Sequence, residues 1–137
     1  MADFTSEIKQ IPHGDEAVYR MLSDLSNLER VRDRIPADKI SDFAFDTDTC
    51  SFSIQPVGRI EFKIIEREPN KTIKFQTTNS PVPLTMWIQL KQAATDDTRM
   101  KMTVRADLNP FIRGMVAKPL QEAINRISDV LADLPYE

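Results

Sequence analysis

Residues able to do acid–base, nucleophilic or metal chemistry are scarce in this chain of 137 residues, which has one histidine, His13, and one cysteine, Cys50. One of each cannot assemble the usual zinc ligand sets within a single chain. Asp46 and Asp48 have the first two spacings of a calcium loop, but Ser51 stands where such a loop needs glycine to turn. No metal and no cofactor are therefore expected. His13 lies in a Pro-His-Gly turn ahead of a helix, which reads as a solvated position rather than a catalytic one. Cys50 shares a face with Phe52 and Ile54, so it reads as an inert buried thiol rather than a nucleophile. Tyr19, beside a helical apolar stripe, reads as a core tyrosine. Arg30, Arg32 and Arg34 alternate with Glu29 and Asp33 as a solvated helix face. No catalytic residue is expected.

The composition sets the scale of whatever holds these groups. A hydrophobic fraction of 41% and a charged fraction of 28% fit one globular domain spanning 1–137. A chain of this length buries roughly 70% of its unfolded surface, enough for a core without disulfides. The net charge of −3 argues against a broad electrostatic footprint for nucleic acid. No apolar run approaches membrane-spanning length, and no signal core opens the chain. A cytoplasmic protein is the simplest expectation.

The periodicity changes twice along the chain. Residues 3–11 alternate, with Phe4, Ser6 and Ile8 on one side, as in a half-buried strand. Val18, Met21, Leu22 and Leu25 then recur at helical spacing, and a second short helical piece carries Leu28, Val31 and Ile35 before Pro36. From residue 40 to 106 the period is two. Turns are expected at Asp46–Thr49, Pro56–Gly58, Glu68–Lys71, Pro81–Pro83 and Asp96–Asp97. Six consecutive strands joined by short turns form a meander. Asn109-Pro110 then starts a long helix running to about Leu134, with Val116, Leu120, Ile124, Ile127 and Leu131 along its apolar stripe. Asn125, Arg126, Ser128 and Asp129 are expected to face solvent, and Pro119 to kink or split the helix.

The fold class that follows is α+β: a curved seven-stranded antiparallel sheet wrapped around a long C-terminal helix, with two short helices after strand 1. The single apolar face needs a cover, and the long helix is the element large enough to supply it. The order of elements, the length and the proline-started last helix resemble the START-like, or SRPBCC, superfamily. This superfamily includes the birch pollen allergen and polyketide cyclase/dehydratase-like proteins. The resemblance spans the whole chain and is most local at the opening, where a strand through Ser6 and Ile8 leads by Ile11-Pro12 to a helix carrying Val18-Tyr19. It implies the helix-grip fold and a pocket for a hydrophobic ligand or lipid, and it carries over no catalytic residue.

Candidate lining residues come from the inward phase of each strand. Phe43, Phe45 and Phe52 come first, then Phe62, Phe75 and Thr77, then Met86 and Met102. The long helix adds Phe111, Met115 and Leu120. Aromatic and thioether groups suit a repacking pocket and equally a filled core, and both readings stay open. Ser6, Ser41 and Thr77 could orient a ligand or bond nearby backbone. A pocket of about 300 Å³, if dry and empty, would cost roughly 7 kcal/mol at ~24 cal/mol per Å³. That is comparable with a whole domain's stability, so ligand, water or side chains must fill it. Pro119 and Gly114 place the expected entrance at 109–118.

The expected function is binding or carriage of a hydrophobic small molecule or lipid between sheet and helix, without catalysis. An enzyme of the cyclase/dehydratase kind would need an ionisable pocket group. A protein-interaction module or homodimer would use Trp87, which falls on the wet face.

Overall fold

The computed structural model describes residues 2–34, 40–54, 58–79, 83–107, 110–134 and 136. Strands β1 (Ala2–Thr5) and β2 (Lys9–Ile11) precede α1 (Asp15–Leu22) and a 3-10 helix (Leu25–Arg34). The meander follows as β3 (Ile40–Phe45), β4 (Thr49–Ile54), β5 (Gly58–Glu68), β6 (Thr72–Asn79), β7 (Leu84–Ala94) and β8 (Asp97–Ala106), and α2 (Pro110–Ala132) closes the chain. Asn109, Ile35, Pro36, Pro56 and Pro81 lie outside the described residues.

The strands pair antiparallel in the order β1-β8-β7-β6-β5-β4-β3, and β2 also pairs with β8. The count is eight rather than seven because the first strand is broken. Its two halves sit on one partner, with Phe4 opposite Val104 and Lys9 opposite Met100. Ser6 makes the break. Its N–H donates to the Met102 carbonyl at 2.9 Å, while its hydroxyl accepts from the Met102 N–H at 2.9 Å and donates to the Glu7 carbonyl at 2.8 Å. The hydroxyl stands in for a strand carbonyl, so the chain shifts phase without losing a bond. Ile8 is thereby turned out, 66% exposed, against the inward position expected of it, and Ile11 is fully buried.

Beyond that break the period-two reading holds on β5, β7 and β8, whereas on β4 Ser51, read as outward-facing, is buried between Cys50 and Phe52. Ile60, Phe62 and Ile64 are buried on β5, Leu84, Met86, Ile88 and Leu90 on β7, and Met100, Met102, Val104 and Ala106 on β8. The turns close where their residue types tolerate them. Asn70 and Asp96 take positive φ of 63° and 55°, the left-handed region that Asn and Asp visit most readily among side-chain-bearing residues. The pairing is irregular at further places, among them three on β3, β5 and β7. β3 bulges between Ser41 and Ala44, with Asp42 at φ 57°; β5 bulges at Ile65, which is left 48% exposed; and the β7 register slips between Gln92 and Ala94.

α2 crosses the concave face as one helix running through Gly114 and Pro119, so of the kink or split expected at Pro119 the split does not occur. Val116, Leu120, Ala123, Ile124 and Leu131 are buried beneath it. Ser128 is buried too, rather than solvent-facing; its hydroxyl donates to the Asn125 carbonyl at 2.9 Å, so this buried hydroxyl is paired. Lys9 on β2 forms a salt bridge with Asp129, which holds its ammonium pKa above the usual value, and Gln121 donates to the Thr5 carbonyl at 2.9 Å. These contacts seat the helix on the β1–β2 edge.

After α2 the chain folds back. Tyr136 is 2% exposed, its hydroxyl donates to the Leu131 carbonyl, and its ring meets His13 edge-on at 5.8 Å. The phenol thus satisfies one of the carbonyls that a helix end leaves without a partner. We expect Tyr136→Phe to cost about 1 kcal/mol in urea unfolding. Burial raises the phenol's pKa above its ordinary 10.0. As pH climbs past that value the unfolded chain gives up this proton first, so stability falls with rising pH. Unfolding curves above that pH should show a loss in wild type that is reduced in the Phe variant.

Candidate apolar binding site

α2 leans toward β1, β2 and β8, so the concave face opposite β3 and β4 is covered less closely. An apolar cavity of about 70 Å³ lies there. Its sheet wall carries Phe43 and Phe45 from β3, Cys50 and Phe52 from β4, Phe75 from β6, and Met86, Ile88 and Met102 from β7 and β8. Leu22, Leu25 and Leu28 close one end, and Ile127, Val130, Leu131 and Leu134 form the opposite wall. A second void of about 20 Å³ lies further back along α2, where Phe62 and Leu120 contribute.

The residues expected to line a pocket thus fall into three groups. Phe43, Phe45, Phe52, Phe75, Met86 and Met102 border the larger cavity, while Phe62 and Leu120 border the smaller. Thr77 is half-buried and engaged with backbone, its hydroxyl accepting from the Leu84 N–H at 3.1 Å and donating to the Leu84 carbonyl at 3.3 Å. Phe111 and Met115 are 81% and 56% exposed, and so do not line the cavity. They lie in the first turns of α2, where Ile112 is only half-buried against the core and full burial begins at Val116. The side chain of Ser41 lies outside the described residues. Leu22, Leu25, Leu28, Ile127, Val130 and Leu134 are lining residues beyond those expected. Their signal was the apolar helical spacing, which gives the buried stripe but not which part of it fronts a void.

The rim of the cavity is marked by exposure. Phe43, Phe45, Ile127 and Val130 are half-buried, whereas Leu22, Leu25 and Phe75 are buried. The opening therefore faces the gap between β3 and the C-terminal half of α2, at the other end of the helix from 109–118. From this rim a row of rings leads inward: Phe45 stacks on Phe43 at 5.8 Å, Phe43 meets Phe52 at 5.9 Å, and Phe52 meets Phe62 at 6.0 Å. All three separations lie in the range where aromatic pairs attract.

Among the described residues, every lining side chain of the larger cavity ends in carbon or sulfur, and Cys50 is the one ionisable group. Burial, with the Glu61 carboxylate adding to it, pushes its thiol up to about 12. The thiol is thus uncharged at neutral pH. Among the described residues no cluster of His, Cys, Asp or Glu could hold a metal, and no helix is long and apolar enough to cross a membrane. On the outer face, Trp87 lies under its own cations, with Lys74 at 5.5 Å and Arg105 at 5.4 Å from its ring. Arg105 is held in turn by Asp3, whose pKa that bond lowers.

No protein-family model matches the sequence, and no curated protein matches it. Solved structures do share the fold. One is norcoclaurine synthase from Thalictrum flavum in complex with dopamine and hydroxybenzaldehyde, 13% identical, with a TM-score of 0.71 over 96% of this chain and 84% of that one. A START superfamily protein from Mycobacterium smegmatis is 10% identical, with a TM-score of 0.69 over 95% and 94% of the two chains. A protein from Thermus thermophilus is 16% identical, with a TM-score of 0.69 over 96% and 95%. The chain has the helix-grip fold of START-type proteins.

The state of Cys50 is open to direct measurement. Native protein at pH 8 should resist iodoacetamide, because the reactive thiolate is suppressed and shielded. Unfolding in urea should restore the ordinary thiol and give rapid modification by mass spectrometry. Equal rates in the two states would place the thiol outside the cavity wall.

Proposed function

We propose that this protein binds and carries a hydrophobic small molecule or lipid in the cavity between its sheet and α2, without catalysing a reaction. The observation that carries this reading is the lining. Among the described residues it offers dispersion contacts and no polar side chain beyond the weakly hydrogen-bonding Cys50 thiol, so a polar group buried there would go largely unpaired at a cost of about 1–3 kcal/mol. A bound molecule must then be apolar where it is inserted, with any polar end at the rim.

The cavity's size supports the same reading. A dry void of about 70 Å³ costs only about 2 kcal/mol at ~24 cal/mol per Å³. The fold can therefore keep it open without its ligand, which a pocket of several hundred Å³ would not permit. The START superfamily neighbour is consistent with a container role. The norcoclaurine synthase neighbour has dopamine and hydroxybenzaldehyde in its structure. Acid–base chemistry on molecules of that kind needs a positioned titratable group, and among the described residues the lining supplies only the neutral Cys50 thiol.

Native mass spectrometry of freshly purified protein should reveal a co-purified apolar molecule or, after its extraction, saturable uptake of an anilinonaphthalene sulfonate dye. Val130→Phe narrows the opening at a half-exposed position, and it should abolish uptake while leaving the circular dichroism spectrum unchanged. If wild-type protein neither carries a molecule nor takes up dye, the proposal is wrong.

A further inference from the structure

The two voids share a wall. Phe52, Met86, Met102 and Ile127 border both of them. The voids follow one another along α2, the larger against Ile127, Val130, Leu131 and Leu134 and the smaller against Leu120, Ala123, Ile124 and Ile127. Leu120 to Leu131 corresponds to about 17 Å of helix at ~1.5 Å per residue. Joined together, the voids would form a long, narrow space parallel to the helix.

The four wall residues differ in how readily they can yield. Phe52 is held between the Phe43 and Phe62 rings, at 5.9 and 6.0 Å. Ile127 is β-branched on a helix, where χ1 has one strongly preferred setting. Met86 and Met102 are unbranched thioethers with three rotatable bonds. They are diagonal neighbours on adjacent strands, since Met86 pairs with Val104 and Ile88 with Met102. A guest pressing inward from the rim meets two fixed residues and two that can swing.

We infer that Met86 and Met102 form a displaceable partition that sets the length of straight apolar chain the protein accepts. The inference rests on the reading that the cavity holds an apolar molecule. A short chain ends at the partition in the larger void. A longer one turns the two methionines aside and extends beside Leu120 and Ile124. The favoured ligand class is therefore an unbranched amphiphile lying along α2, its polar end at the half-exposed rim.

A homologous series of straight-chain primary alcohols, read by displacement of the dye, tests this. Wild-type affinity should rise about fourfold per added methylene while the chain stays in the larger void, and then break to a shallower slope at the partition. Met86→Ala and Met102→Ala should move that break to longer alcohols. Met86→Leu and Met102→Leu, which keep the volume but branch the side chain, should weaken the long alcohols at least tenfold and spare the short ones. Met100→Leu, at a buried methionine that borders neither void, should leave the profile unchanged. In wild-type protein labelled at the methionine ε-methyls, alcohols beyond the break should shift Met86 and Met102 and leave exposed Met115 in place. One length profile shared by all the folded variants would overturn the partition and leave the binding reading intact. Absence of binding along the whole series in every protein would overturn both. If the alanine variants do not fold, the leucine pair and the methyl resonances decide.

Discussion

One helix has to cover the apolar face of a sheet seven strand positions wide, and most of the architecture follows from that mismatch. Six spacings of about 4.8 Å make the sheet ~29 Å across, whereas a helix with its side chains is about 10–12 Å thick. α2 therefore cannot cover the face unaided. α1 and the 3-10 helix supply Leu22, Leu25 and Leu28 at one end, and the sheet curls to bring its two edges toward the helix. Anchoring α2 at one edge, through Lys9–Asp129 and Gln121, leaves the shortfall at the other edge. The cavity lies on that far side, against β3 and β4.

The curl depends on places where the strand pattern is broken. Ser6, Asp42 and Ile65 each mark a phase shift or bulge, and each leaves the neighbouring backbone bonded or its odd side chain in water. These breaks also mark the limit of what the sequence discloses. Alternation from Ile60 to Ala106 was legible because a half-buried sheet leaves a period of two in the chain. The break at Ser6 was not, because a serine that replaces a carbonyl looks the same in sequence as one that points inward. The helical stripe around Leu120, Ile124 and Leu131 was legible for the same kind of reason. Phe111 and Met115 continue its composition, yet they lie beyond what the stripe can bury. Burial of Tyr136 depends on the chain reversing after α2, and no periodicity records a reversal.

The site was partly legible, and the difference lies in which element supplied each residue. Strand residues such as Phe52, Met86 and Met102 show their inward phase directly. Ile127 and Val130 follow the helical stripe but are only half-buried, because they border the opening rather than packed sheet. Sequence can say that an apolar residue faces inward. Whether it meets a partner or a void depends on the offset of α2 toward β1, which is set by contacts between residues far apart in the chain, such as Gln121 with Thr5.

The distribution of polar groups bears on what kind of work the fold can do. Hydrogen bonds and ion pairs in this protein tie elements together at the periphery. Arg67 donates to the Ser23 carbonyl at 2.9 Å and to Asp48 at 2.5 Å, joining the end of α1 to the β3–β4 turn. Tyr136 and His13 meet at the end of α2, and Lys74, Trp87 and Arg105 lie on the outer face. None of these is directed into the cavity. What faces inward here is a row of phenyl rings and two methionines, groups whose attraction for a guest is weak per atom and indifferent to its functional groups. Selectivity in such a cavity has to come from shape.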